Sequence, residues 1–115
     1  MTPALALDYL DEMSADIRGA LVLDRRGEVA AAHGGEGGDD DEMREALVEL
    51  LRLADRAETG REPAAAVEVA TTAGAVFAVR NDSWTLAVVT GRPVLSSLML
   101  FDLRHVLDDL GAAPA

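Results

Sequence analysis

Four serines (Ser14, Ser83, Ser96 and Ser97) and two histidines (His33 and His105) are the side chains from which a hydrolytic nucleophile and base would have to be drawn. Such a site needs the nucleophile, a base beside it and an acid to orient the base. None of the serines stands in a G-x-S-x-G context, where a sharp strand-to-helix turn would expose its hydroxyl. His105 falls on a helical stretch near Asp102 and Asp109, on the side away from Leu103, Val106 and Leu110, as a solvated helix face would place it. The run Asp39-Asp40-Asp41-Glu42 offers oxygen ligands for a divalent cation, but it lacks the alternating spacing of a calcium loop. Consecutive carboxylates cannot all point inward, so the run reads as a solvated loop and helix cap. Gly91-Arg92-Pro93 followed by Ser96 and Ser97 has the outline of an anion site at a helix start. It is not a phosphate-binding loop of the G-x-x-x-x-G-K-[ST] type, and Pro93 removes a donor. The sequence therefore offers no catalytic residue, no metal ligands and no cofactor site, and an enzyme is not expected.

The remaining chemistry is ionic. The chain of 115 residues carries a net charge of −11, and all ten of its positive charges are arginines. So strong a negative balance argues against nucleic acid and anionic membranes as partners, since both attract a positive footprint. With 3% aromatic residues there is little to stack on bases. Cysteine is absent, which removes disulfides and thiolate chemistry. No apolar run approaches the roughly 18 residues of a membrane span, and the first residues lack the basic region of a secretory signal. A single domain in the cytoplasm is the expectation, spanning residues 1–115 with a flexible acidic loop over Gly34–Asp41 and a frayed tail over 111–115.

The elements that must position these residues read in the order α-β-β-α-β-β-β-α. Thr2 to Ala15 has helical spacing, with Ala6, Leu10, Met13 and Ile17 on one side. Arg18–Leu23 and Glu28–His33 read as strands around the turn Asp24-Arg25-Arg26-Gly27. After the glycine-rich loop, the acidic run opens a helix that reaches about Ala57. Val67–Thr72, Ala75–Arg80 and Trp84–Thr90 are apolar runs separated by Ala73-Gly74 and Asn81-Asp82-Ser83. Connections this short make antiparallel neighbours. Pro93 is suited to a first helical turn, and a helix runs to about Leu110 before Gly111. Its core stripe is read as Leu95, Met99, Leu103, Val106 and Leu110, with Val94, Leu98 and Phe101 on an adjacent side that packs on the first helix or, alternatively, offers a partner surface. An α+β fold follows: a five-stranded antiparallel sheet with two helices on one face and one on the other.

On the second helix, Leu53, Ala46, Ala57, Leu50, Met43, Ala54, Leu47 and Leu51 fill an arc of about 160° at the helical repeat. That is wider than one sheet face requires, and the margin points to a second contact such as a partner helix. The other side carries Arg44, Arg52 and Arg56 among Glu45, Glu49 and Asp55, with Val48 as an apolar outlier. Two readings stay open for it: a solvated face laced with ion pairs, or a platform for a partner.

The stretch Gly19-Ala20-Leu21-Val22-Leu23-Asp24-Arg25-Arg26-Gly27-Glu28-Val29-Ala30 resembles the first hairpin of the Roadblock/LC7 family. Arg44–Ala57 and Val67–Leu110 follow the remaining element order, so the resemblance spans nearly the whole chain. It implies a profilin-like fold and a homodimer in which the second helices pair antiparallel and the third strands join two sheets. Members of the family bind small Ras-like GTPases as activating or scaffolding factors, or serve as dynein light chains. Bacterial stand-alone members resemble a gliding-motility regulator that acts on a polarity GTPase. The resemblance therefore implies a homodimeric regulator or scaffold that modulates the nucleotide cycle of a small GTPase. The alternative is a structural or signalling-assembly module of the same fold without a GTPase. The expected dimer contacts are Leu47, Leu50, Leu51, Ala54, Val67 and Val69, and the expected partner contacts are Arg44, Val48, Arg52 and Arg56.

Overall fold

The computed structural model describes residues 1–34, 40–57, 65–70, 74–92 and 94–111. Its elements are helix α1 (Pro3–Met13), strands β1 (Ile17–Asp24) and β2 (Val29–Gly34), helix α2 (Asp40–Ala57), strands β3 (Ala66–Ala70), β4 (Ala75–Arg80) and β5 (Trp84–Thr90), and helix α3 (Ser96–Leu110). This is the order read from the sequence. The greater part of the acidic loop, residues 35–39, and the tail over 112–115 lie outside the described residues.

Helix α1 starts where Thr2 Oγ1 accepts the amide of Leu5 at 3.3 Å, with Pro3 in the first turn. It stops at Met13, earlier than the periodicity predicts. Ser14 turns to extended backbone, and its Oγ accepts the Asp16 amide at 3.2 Å, a local bond that competes with helix continuation. Ile17 therefore opens β1 instead of extending the helix stripe, and the buried face of α1 is Ala6, Leu7 and Leu10.

The hairpin turns are built by side chains that imitate backbone. Asp24 Oδ1 accepts the amides of Arg26 at 2.8 Å and Glu28 at 3.1 Å, while Gly27 supplies the positive φ of 80°. At the β4–β5 turn, Asn81 Oδ1 accepts the amides of Ser83 at 2.9 Å and Trp84 at 2.8 Å. Both turns lie at the same end of the sheet, because β1 and β5 are antiparallel neighbours in register Asp24↔Trp84 to Ile17↔Thr90. The sheet order is β2-β1-β5-β4-β3, antiparallel throughout, so β2 and β3 are its edges.

Alternation along the strands divides the core in two. Ala20, Val22, Phe77, Val79, Leu86 and Val88 face α1 and α3, meeting Leu7, Leu10, Met99, Leu103 and Val106. Leu21, Leu23, Ala78 and Ala87 face α2, meeting Leu47 and Leu51. On the single-helix face Val29, Val67 and Val76 stay half-buried, as Ile17, Ala31 and Ala66 do on the other.

Helix α3 starts at Ser96 rather than in the Pro93 turn, and Pro93 itself lies outside the described residues. Leu95 becomes the residue before the helix and is exposed, so it leaves the core stripe expected for it. Leu98 and Phe101 are also exposed and do not pack beneath α1, while Val94 is half-buried against the core. The reason is rotational. Met99, Leu103, Val106, Leu107 and Leu110 take the buried stripe and turn Leu98 and Phe101 outward. At the far end the Trp84 Nε1–H donates to the Gly111 carbonyl at 3.0 Å, tying the helix terminus to β5.

Candidate partner-binding surface

Helix α2 is the element on which the expected contacts converge, and its own packing sorts them. Leu47 and Leu51, one turn apart, are buried against the sheet at 5% and 6% exposure. The periodicity places them at the dimer interface, but they belong to the core of their own chain. With these two residues facing inward, Leu50 and Leu53 fall on one flank of the helix and Val48 on the other, at the helical repeat of about 100° per residue. Leu50 is half-buried, and Leu53 is 50% exposed. Among the described side chains of the apolar arc, Leu53 is the one that the sheet leaves most uncovered. On edge strand β3, Val67 is half-buried and Val69 exposed, both on the α2 side of the sheet. The side chains of Arg44 and Ala54 lie outside the described residues.

On the other flank Val48 is 41% exposed. Arg52 extends beside it and is braced from its own helix: Nε donates to Glu49 Oε2 at 3.1 Å, and Nη2 donates to the same oxygen at 2.7 Å. That bond holds the Glu49 carboxyl below the ordinary glutamate range and keeps Arg52 firmly charged. Arg56, a turn further on, is exposed.

Below this flank lies a cleft of about 830 Å³. Leu23 and Thr85 line it from the sheet, and Val48, Leu51 and Arg52 line it from α2. Arg25 and Arg26 come from the β1–β2 turn, and Arg80 from the end of β4. The expected contacts Val48 and Arg52 are therefore neighbours of three arginines that the sequence reading did not assign to the site. The pair Arg25-Arg26 was visible as turn residues. Its meeting with Arg80 depends on the β1–β5 pairing, which joins segments far apart in the chain.

The residues considered for catalysis do not assemble. His33 bridges β2 to α1, with Nδ1 2.8 Å from Asp11 Oδ2 and Nε2 3.3 Å from Asp8 Oδ1. His105 Nε2 is 3.8 Å from Asp109 on the exposed side of α3. Ser96 Oγ donates to Glu68, and Arg92 pairs with Asp16. The turn before α3 is thus occupied by the chain's own ion pair and hydrogen bonds. Among the described residues no serine is bonded to a histidine, and no group of three metal-ligating side chains gathers. No helix among them is long and apolar enough to cross a membrane.

An antiparallel sheet in the order β2-β1-β5-β4-β3, with α1 and α3 on one face and α2 alone on the other, is the profilin-like fold of Roadblock/LC7 domains. Solved structures agree. The chain is similar to a Roadblock/LC7 domain from Streptomyces avermitilis at 18% identity and a TM-score of 0.81, covering 96% of this chain and 95% of that one. It is similar to MglB of Myxococcus xanthus at 12% identity and a TM-score of 0.77, over 92% and 82% of the two chains. It is similar to the gliding protein MglB of Thermus thermophilus at 14% identity and a TM-score of 0.71, over 91% and 84%. No protein-family model and no curated protein matches the sequence.

Proposed function

We propose that the protein is a homodimeric regulatory module of the Roadblock/LC7 kind that binds a small Ras-like GTPase across α2 and shifts its nucleotide cycle. The carrying observation is the solvent side of α2. Val48 stands exposed beside the braced Arg52, with Arg56 a turn further on, on the helix that alone covers one sheet face. An exposed apolar residue ringed by charge is a common anchor pattern, and arginines supply bidentate pairing with carboxylates. The similarity to MglB proteins supports the same reading. Self-association fits the other flank. Leu50 and Leu53 of α2, and Val67 and Val69 on the edge strand β3, are apolar side chains left half-buried or exposed, and a second copy would cover them. The protein then hydrolyses nothing itself; tighter binding to one nucleotide state of its partner is what moves the partner's equilibrium.

The test is a binding titration against the Ras-like GTPase encoded nearest to this protein, loaded with GDP or with a GTP analogue. The natural protein is compared with a Val48→Asp/Arg52→Glu double variant. Preference for one nucleotide state, lost in a folded and dimeric double variant, is the expected result. Equal affinity for both states removes regulation and leaves the reading as an assembly module. Binding unaffected by the double variant moves the contact off this helix.

A further inference from the structure

Four of the chain's ten cationic residues, Arg25, Arg26, Arg52 and Arg80, line one cleft in a protein whose net charge is −11. The same lining contributes only Asp24 and Asp82 as carboxylates. Asp24 is already committed, since its Oδ1 accepts two turn amides. Arg25 and Arg26 are exposed, and neither makes an ion pair among the described residues. Against the overall field of the molecule, then, the cleft is a local cationic site with an aliphatic lining of Leu23, Val48 and Leu51.

We infer that this cleft receives a short acidic peptide segment of a partner protein, with an aliphatic side chain seated between Val48 and Leu51 and flanking carboxylates held by Arg25 and Arg26. Guanidinium forks match carboxylates in a bidentate manner, and an aliphatic wall between them suits a leucine-like side chain better than it suits a bare inorganic anion. The turn that carries Arg25 and Arg26, and the turn that follows Arg80, are fixed by their own Asp and Asn hydrogen bonds, so the backbone beneath the cationic rim is held before binding. The cleft opens on the Val48 flank of α2, opposite the flank that carries Leu50 and Leu53. The inference shares Val48 and Arg52 with the proposed partner surface but does not depend on the partner being a GTPase.

The experiment uses the full chain and a fluorescent acetylated peptide, Asp-Glu-Leu-Glu-Asp, read by anisotropy at low and physiological salt. Saturable binding that weakens as salt rises is expected. The amide peptide Asn-Gln-Leu-Gln-Asn and the serine-centred Asp-Glu-Ser-Glu-Asp should each bind at least fivefold more weakly. Arg25→Glu/Arg26→Glu should weaken the acidic peptide tenfold or more, and Arg25→Gln/Arg26→Gln should fall between that variant and the natural protein. Arg104→Glu, on α3 across the sheet, should change it less than twofold. An equal loss in Arg104→Glu would show diffuse attraction and overturn the assignment. So would displacement by orthophosphate at matched ionic strength, or no binding at a peptide concentration of about 1 mM. The probe carries no nucleotide, so its failure leaves the GTPase reading standing, and failure of the GTPase titration leaves the cleft standing.

Discussion

A β-carbon on Gly74 would lie 2.2 Å from the carbonyl oxygen of Thr90, so backbone already occupies the space of any side chain there. Thr90 locks this approach. Its Oγ1 accepts the Ala75 amide at 3.0 Å and donates to the Arg92 carbonyl at 2.9 Å. Gly74→Ala must therefore push β4 from β5, with an expected cost of about 1–3 kcal/mol. Gly91→Ala is the control. Its β-carbon would meet the Arg18 side chain, which can swing away, whereas the Thr90 carbonyl cannot. Urea unfolding should rank Gly74→Ala well below Gly91→Ala, and equal midpoints would refute the steric account.

The two phenylalanines of the chain have opposite surroundings. Phe77 is fully buried between the sheet and the α1/α3 layer, and Phe101 is 68% exposed. Phe77→Ala is expected to lose about 3–5 kcal/mol through lost burial and a residual cavity. Phe101→Ala should stay within about 0.5 kcal/mol of the natural protein. Thermal denaturation of both variants measures the contrast. A large loss at Phe101 would mean that α3 packs through a face it here turns to solvent.

Glu49 titrates below the ordinary glutamate range because it accepts hydrogen bonds from Arg52. A carboxyl depressed in the folded state favours folding above its unfolded pKa, and that contribution is lost as pH falls through the folded value. The pair is exposed, so its effect belongs in the titration rather than in global stability. Carboxyl-carbon NMR should show the Glu49 midpoint rising towards the ordinary range in Arg52→Gln, with the melting temperature at neutral pH nearly unchanged. An unmoved midpoint would separate the two side chains in solution.

Leu53 is half exposed on the flank of α2 away from Val48. Leu53→Asp should leave the monomer folded, since the site is open to water, but should dissociate a dimer built on that flank, where an unpaired carboxylate is costly to bury. Val48→Asp should leave the oligomer intact. Sedimentation at micromolar concentration distinguishes them. A natural protein that sediments as a 12.1 kDa monomer would end the dimer reading.

The sequence by itself determined the element order, the tight turns at Asp24 and Asn81 and the division of two helices against one. These follow from local rules: period-2 and period-3.6 patterning, short connections that force antiparallel neighbours, and Asp, Asn and Gly at positions where their side chains or backbone freedom make the turn. It also separated the polar side of α2, with Val48 and Arg52, from the apolar side. Only the tertiary structure decided which apolar residues are inside. Leu47 and Leu51 are buried between α2 and the sheet, and Leu95, Leu98 and Phe101 face water. A helix can be rotated by a residue or two without changing its hydrophobic pattern, and the sheet beneath selects the rotation. The arginine-lined cleft was hidden for a different reason. Arg25, Arg26, Arg52 and Arg80 meet only after β1 pairs with β5 and α2 crosses that face, and such contacts between distant segments leave no local signature in the chain.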